Sequence, residues 1–158
     1  MEKILITSLV GIVLILTGVY VVMKNDRGAP FVSGEVNLKS IFLGEILLLV
    51  EVADSEEERR RGLSGRENLS HGRGMLFVFP EPGKHGIWMK DMLFSLDILW
   101  LDEEGKIVTI AENVTADSYP EVFQSGEDAL YVLEMRAGFV DDLSIEVGHK
   151  FDLSTVEN

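Results

Sequence analysis

Apolar residues fall along this chain in three textures. From Ile4 to Met23 twenty residues run without a charge or a proline, with Thr7, Ser8 and Thr17 as polar side chains. As a helix this run would extend about 30 Å, the thickness of a bilayer's hydrocarbon core. It ends Val19-Tyr20-Val21-Val22-Met23-Lys24, which offers no small-x-small cleavage site. The expectation is therefore an uncleaved transmembrane anchor over residues 1–23 rather than a secretory signal. From Lys24 to Glu35 Gly, Pro, Ser and charge mix without a sustained apolar period, which predicts a flexible tether over 24–35. Across 36–155 the apolar residues come in short bursts between turn-forming clusters, the pattern of one small domain.

Within that domain Glu45 to Ala53 is a continuous apolar run, EILLLVEVA, as in a strand buried on both faces. Ser55 and Glu58 form an S-x-x-E capping box. Acidic residues fill the first turn, Arg59, Arg60 and Arg61 the last, and Gly62 follows. These signals predict a helix of about two turns and then a mobile loop over 62–74. Met75–Phe79 reads as a strand closed by the turn Pro80-Glu81-Pro82-Gly83, with His85–Lys90 answering it in a hairpin. Leu96–Leu101 and Lys106–Val114 make a second hairpin across Asp102-Glu103-Glu104-Gly105. Ala129–Met135 and Lys150–Leu153 complete the set. The fold class expected is mainly β, a compact β-sandwich or barrel with one short helix behind a single transmembrane segment.

Composition narrows the function. The net charge is −13, and residues 28–158 carry 11 Lys and Arg against 25 Asp and Glu, a balance of −14. Nucleic acid and anionic lipid surfaces are poor partners for such a domain. The chain has no cysteine, which removes disulfides, thiolate nucleophiles, thiolate metal ligands and lipid attachment to a thiol. Positive charge flanks the apolar run almost evenly, with Lys3 before it and Lys24 and Arg27 after. The short amino-terminal tail favours export, so the domain is expected outside the cytoplasm as a single-pass membrane protein.

Five blocks in order carry a resemblance. They are Arg59-x-x-Gly62-Leu63-x-x-Arg66, then Gly74-Met75-Leu76-Phe77-Val78-Phe79-Pro80, Trp88-Met89-Lys90, Leu96-Asp97-Ile98, and Tyr131-Val132-Leu133-Glu134 with Ala137-Gly138. Together they resemble the family called domain of unknown function 192, over about residues 45–150. Ser64 stands where that family usually has Met, Ser95 where it usually has Pro, and Asp91-Met92 in place of Asn-Thr. The resemblance implies a small β-rich fold, often behind a signal or anchor, and implies no established activity.

The blocks share charged residues set in apolar sequence. Alternation along Leu96–Leu101 places Asp97 on the face of Leu99 and Leu101, opposite Leu96, Ile98 and Trp100. Glu134 lies within Leu130–Met135, and Lys90 follows Trp88-Met89. A carboxylate there needs a cation or several hydrogen bonds, and Arg66, Arg59 and Lys90 are the expected partners. Three uses are open for this set. It is a structural ion-pair lock, a ligand site with Arg66, Trp88 and Lys90 as binding residues, or a hydrolytic site. The hydrolytic site, with a glycan as its candidate substrate, would take Asp97 and Glu134 as its catalytic pair, supported by Lys90 and Arg66. Trp88 could stack on a sugar, although the plainer reading of both tryptophans is core. The spacing of His71, His85 and His149 points to no metal site, and no cofactor is expected. The reading that follows is a membrane-tethered β-module binding a ligand or partner protein, with hydrolysis as the alternative.

Overall fold

The computed structural model describes residues 37–156; the expected anchor over 1–23 and the tether over 24–35 lie outside the described residues. Among the described residues no helix is long and apolar enough to cross a membrane. The described residues hold nine strands: β1 (Leu38–Leu43), β2 (Ile46–Ala53), β3 (Arg73–Gly83), β4 (Gly86–Trp88), β5 (Leu96–Leu101), β6 (Ile107–Val114), β7 (Val122–Gln124), β8 (Ala129–Arg136) and β9 (Phe151–Asp152). Among the same residues two α-helices join them, α1 (Glu56–Arg61) and the single turn α2 (Phe139–Asp142), with a 3-10 turn at Ala116–Ser118.

Seven strands form one sheet in the order β6-β5-β8-β3-β2-β1-β9, and β4 pairs only with β7 in a separate ribbon. The large sheet curls until its two outer strands meet at one end. Lys106 bridges Lys150, the Ile107 N–H donates to the His149 carbonyl, and the Phe151 N–H donates to the Gly105 carbonyl. Gly105 makes that closure possible. Its φ is +79°, and a Cβ there would sit 2.5 Å from the Phe151 carbonyl oxygen. The result is a curled half-barrel rather than the sandwich of two packed sheets that was the other expected form.

The hairpin expected between Met75–Phe79 and His85–Lys90 does not form. β3 runs on through Pro80 to Gly83 and has neighbours on both edges, β2 in parallel and β8 antiparallel. No edge is left for β4, which pairs with β7 instead. The second expected hairpin is present as β5 and β6. The parallel β2–β3 pair needs a crossover, and α1 with the following loop supplies it. α1 begins as its sequence requires: Ser55 Oγ accepts from the Glu58 N–H at 3.2 Å, and Glu58 accepts from the Ser55 N–H at 3.1 Å.

Curling gives the sheet two apolar faces. Leu76, Leu99, Leu101 and Leu133 fill the inside with Ile41, Val50 and Phe151. Met75, Phe77, Ile98, Trp100 and Val132 lie outside, beneath the β4–β7 ribbon and the loop carrying Leu63 and Leu69. Each of these fully buried aliphatic side chains contributes roughly 2 kcal/mol of hydrophobic free energy. Every residue of β5 is buried, because the strand is covered on both faces. One residue of slip in register would exchange the two sets.

Candidate functional site

Two carboxyl groups lie deep in this sheet, and register separates them. Across β5 and β8, Asp97 stands opposite Met135 and Ile98 opposite Glu134. Side chains alternate between faces, so Asp97 points with Leu99 and Leu101 into the barrel, and Glu134 points outward with Val132. The face assigned to Asp97 from sequence is the one observed. The catalytic pair it was to form with Glu134 is not, since a sheet stands between the two groups.

Asp97 is fully buried and fully used. One carboxylate oxygen accepts the Asn113 N–H at 2.8 Å, and the other accepts the Val140 N–H at 2.9 Å. Asn113 is held at φ +51°, and Val140 lies in the first turn of α2, where an anion is favoured. Asp97 thus joins β5, the end of β6 and α2 through hydrogen bonds to backbone, not through the arginine or lysine expected.

Glu134 has the opposite surroundings. On the outer face a row runs across three strands, with Glu51 of β2 beside Met75 of β3, and Met75 beside Glu134 of β8. Arg66 reaches over this row from the loop after α1. Its guanidinium forks onto Glu51, Nη1 to Oε1 at 2.5 Å and Nη2 to Oε2 at 2.7 Å. The Glu51 carboxylate raises the pKa of Arg66, with Glu134 adding a smaller Coulombic contribution in the same direction. Glu134 itself is 5 % exposed and makes no hydrogen bond among the described residues. Burial pushes its carboxyl up to about 8, against the opposing pull of the Arg66 charge. The group is therefore mostly protonated at neutral pH.

The Glu134 carboxyl faces a recess of about 60 Å³ lined by Leu63, Phe77, Ile87, Met92 and Trp88, with Arg59, Arg60 and Arg61 along one side. Its loop wall is fixed by three contacts. Ser64 Oγ donates to the Lys90 carbonyl at 2.9 Å, the Gly65 N–H donates to the Asp91 carbonyl at 2.8 Å, and Leu63 is buried. Trp88 is 52 % exposed at the recess, with the Tyr119 ring edge-on at 6.3 Å. The core assignment holds for Trp100, whose indole N–H donates to the His85 carbonyl, and fails for Trp88. A ribbon only two strands wide cannot bury both of its faces.

Of the residues expected at the site, Glu134, Trp88 and Arg59 line this recess, while Arg66 is forked onto Glu51 and reaches Glu134 through its charge. Lys90 is exposed and supplies its carbonyl rather than its charge. Arg59 binds the Asp54 and Val78 carbonyls and covers the Phe79 ring. Sequence reading passed over Glu51, although a glutamate inside Leu47–Val52 carries the same signal that singled out Asp97 and Glu134. Tyr119 reaches the site from the segment just before β7, and nothing in its local pattern marks it. Among the described residues no three His, Asp or Glu side chains group to hold a metal ion.

Residues 43–153 match DUF192, a family described as Uncharacterized ACR, COG1430. The chain belongs to the DUF192 family. Curated relatives bear the related label UPF0127. One from Thermococcus gammatolerans is 33 % identical over 101 residues, covering 63 % of this chain and 62 % of the relative. One from Thermococcus kodakarensis is 30 % identical over 101 residues, covering 63 % and 60 %. The chain thus spans about three-fifths of the length of the curated relatives it matches. Two solved structures share the fold. A Sinorhizobium meliloti protein described as a candidate transcription regulator has a TM-score of 0.68 at 32 % identity, over 75 % of this chain and 97 % of that one. A Novosphingobium aromaticivorans protein of unknown function has a TM-score of 0.70 at 23 % identity, over 81 % and 94 %.

Proposed function

We propose that this DUF192 domain is a binding module for a small uncharged ligand, held at a membrane by residues 4–23 and facing away from the cytoplasm. One observation carries the binding reading: Glu134 is 5 % exposed, has no hydrogen-bond partner among the described residues, and faces a recess. Buried polar groups nearly always have a protein or water partner, and a carboxyl at an opening that spends none of its hydrogen-bonding capacity on the described residues is available to a ligand that displaces water. The membrane reading rests on the uncharged Ile4–Met23 run. It predicts that the chain resists carbonate extraction and that protease added to intact spheroplasts cleaves the domain. Recovery in the soluble fraction would refute it.

The hydrolytic alternative with Asp97 and Glu134 draws no support from the geometry, because the two carboxyls lie on opposite faces. Regulation of transcription is said of the Sinorhizobium meliloti protein alone, and a balance of −14 over residues 28–158 disfavours nucleic acid. The binding reading is tested by thermal shift of the full chain in detergent against a panel of uncharged amides, sugars and alcohols. At least one compound is expected to raise the melting temperature of the wild type but not of Glu134→Leu. A panel that leaves both unchanged would refute the reading.

A further inference from the structure

The recess and its rim together describe a more specific ligand. A cavity needs about 10–15 Å³ to hold one water molecule, so a recess of about 60 Å³ takes a group of about four non-hydrogen atoms. Leu63, Phe77, Ile87 and Met92 are its buried apolar lining, Arg59, Arg60, Arg61 and Ser64 make the rest of its wall polar, and Glu134 is its buried polar residue among the described residues. Beside it stands an aromatic platform: Trp88 is half exposed, and Tyr119, also half exposed, meets it edge-on at 6.3 Å and braces it. A flat indole of this kind suits the apolar C–H face of a sugar ring.

We propose that the recess is an acetamido pocket, and that this surface binds a sugar polymer carrying N-acetyl groups, the pyranose ring lying on Trp88. The proposal deepens the binding reading above and rests on it. The methyl of an acetamido group would meet Phe77, Ile87 and Met92, and its carbonyl oxygen would accept a hydrogen bond from protonated Glu134. An anionic group fits less well, because three of the four nearby guanidinium groups are engaged. Arg66 is forked onto Glu51, Arg59 is bound to backbone carbonyls, and Arg60 is paired with Glu56, leaving Arg61 exposed at the rim. A cation would need Glu134 ionised, against the burial that keeps it neutral.

The test uses the full chain in detergent and its two tryptophans. Trp100 is fully buried, so ligand-dependent fluorescence reports Trp88. The probes are the trimer of N-acetylglucosamine, the deacetylated glucosamine trimer and cellotriose. The acetylated trimer is expected to give a saturable change, with the other two at least about tenfold weaker. The glucosamine trimer is cationic, so an acidic domain that bound by charge alone would prefer it. Affinity for the acetylated trimer should fall as pH rises through about 8, where Glu134 loses its proton; Arg66 is the charged neighbour that acts on it. Glu134→Gln still donates a hydrogen bond, so it should keep the affinity and lose the pH dependence. Glu134→Leu should weaken binding at least about tenfold with an unchanged circular dichroism spectrum. Equal binding of the three trimers, or unchanged affinity in Glu134→Leu, overturns the proposal. If all three trimers fail while another panel compound binds the wild type and not Glu134→Leu, the acetamido assignment falls and the binding module remains. Failure of trimers and panel alike brings down both.

Discussion

Asp97 and Glu134 sit on adjacent strands in neighbouring registers, both at most 5 % exposed, yet the protein treats them differently. The inner face gives Asp97 two backbone N–H donors, one for each oxygen. The outer face gives Glu134 apolar walls, an arginine already committed to Glu51, and no hydrogen bond among the described residues. Burial alone therefore says little about a buried acid. What separates architecture from a held functional group is whether its hydrogen-bonding capacity is used inside the fold.

The strongest way to break this contrast is through pH. Glu134 has a folded-state pKa of about 8, raised above its unfolded value. The folded protein thus holds a proton that the unfolded chain releases, so this group's contribution is fully present below the unfolded pKa. It is lost as pH rises through about 8. A shift of this size corresponds to roughly 4 kcal/mol between pH 5 and pH 9. Urea unfolding at several pH values should show wild type losing stability over that window relative to Glu134→Gln, which cannot titrate. Parallel curves would mean that Glu134 is ionised and paired, and the contrast with Asp97 would vanish.

Asp97→Asn tests the other side. The amide keeps one acceptor and turns the second atom into a donor facing a backbone N–H. Either Asn113 or Val140 then loses its partner in the core, at a cost of about 3 kcal/mol in the urea midpoint at constant slope. An unchanged midpoint would show that the capping of α2 does not depend on Asp97.

Arg66→Ala sharpens the comparison further. It removes a forked pair with Glu51, whose side chain is 14 % exposed, and should cost about 2 kcal/mol. It also removes the positive charge that lowers the Glu134 pKa. The pH window of the wild type should therefore move upward in this variant. A downward move would show that Arg66 does not act on Glu134.

Much of this was legible in the sequence where local signals decide the outcome. The capping box and the terminal glycine fixed α1, and strict alternation along β5 gave the face of Asp97. Non-local pairing was not legible. Nothing near Met75–Phe79 reveals that β2 and β8 occupy both edges of β3, which is what sends β4 to β7. The same limit applies at the site. That Asp97 and Glu134 are buried could be read from their apolar neighbours. That they face opposite ways depends on the one-residue offset between the numbering of β5 and that of β8. Glu51 was overlooked because a buried-run reading of Glu45–Ala53 left no reason to ask which face each residue takes. Trp88 was expected in the core because exposure of a tryptophan follows from the narrowness of the β4–β7 ribbon, a tertiary property.

The smallest expected effect is the most discriminating. At pH 5 the buried Glu134 carboxyl is neutral and the pH is still close to the unfolded pKa, so linkage adds little; the group makes no hydrogen bond among the described residues. Leucine is close to it in size and carries no polar group to bury. Glu134→Leu should therefore leave stability within about 1 kcal/mol of wild type, or raise it slightly, whereas truncating a structural acid lowers it. Differential scanning of both proteins at pH 5 measures this directly. A loss above about 2 kcal/mol would mean that the carboxyl is satisfied in solution by bound water or by a residue outside 37–156, which would place it with Asp97 as architecture. An unchanged or raised melting temperature, with ligand-dependent Trp88 fluorescence lost in the same variant, would mean that the fold tolerates Glu134 without needing it. A buried acid of that kind is kept for what enters the recess.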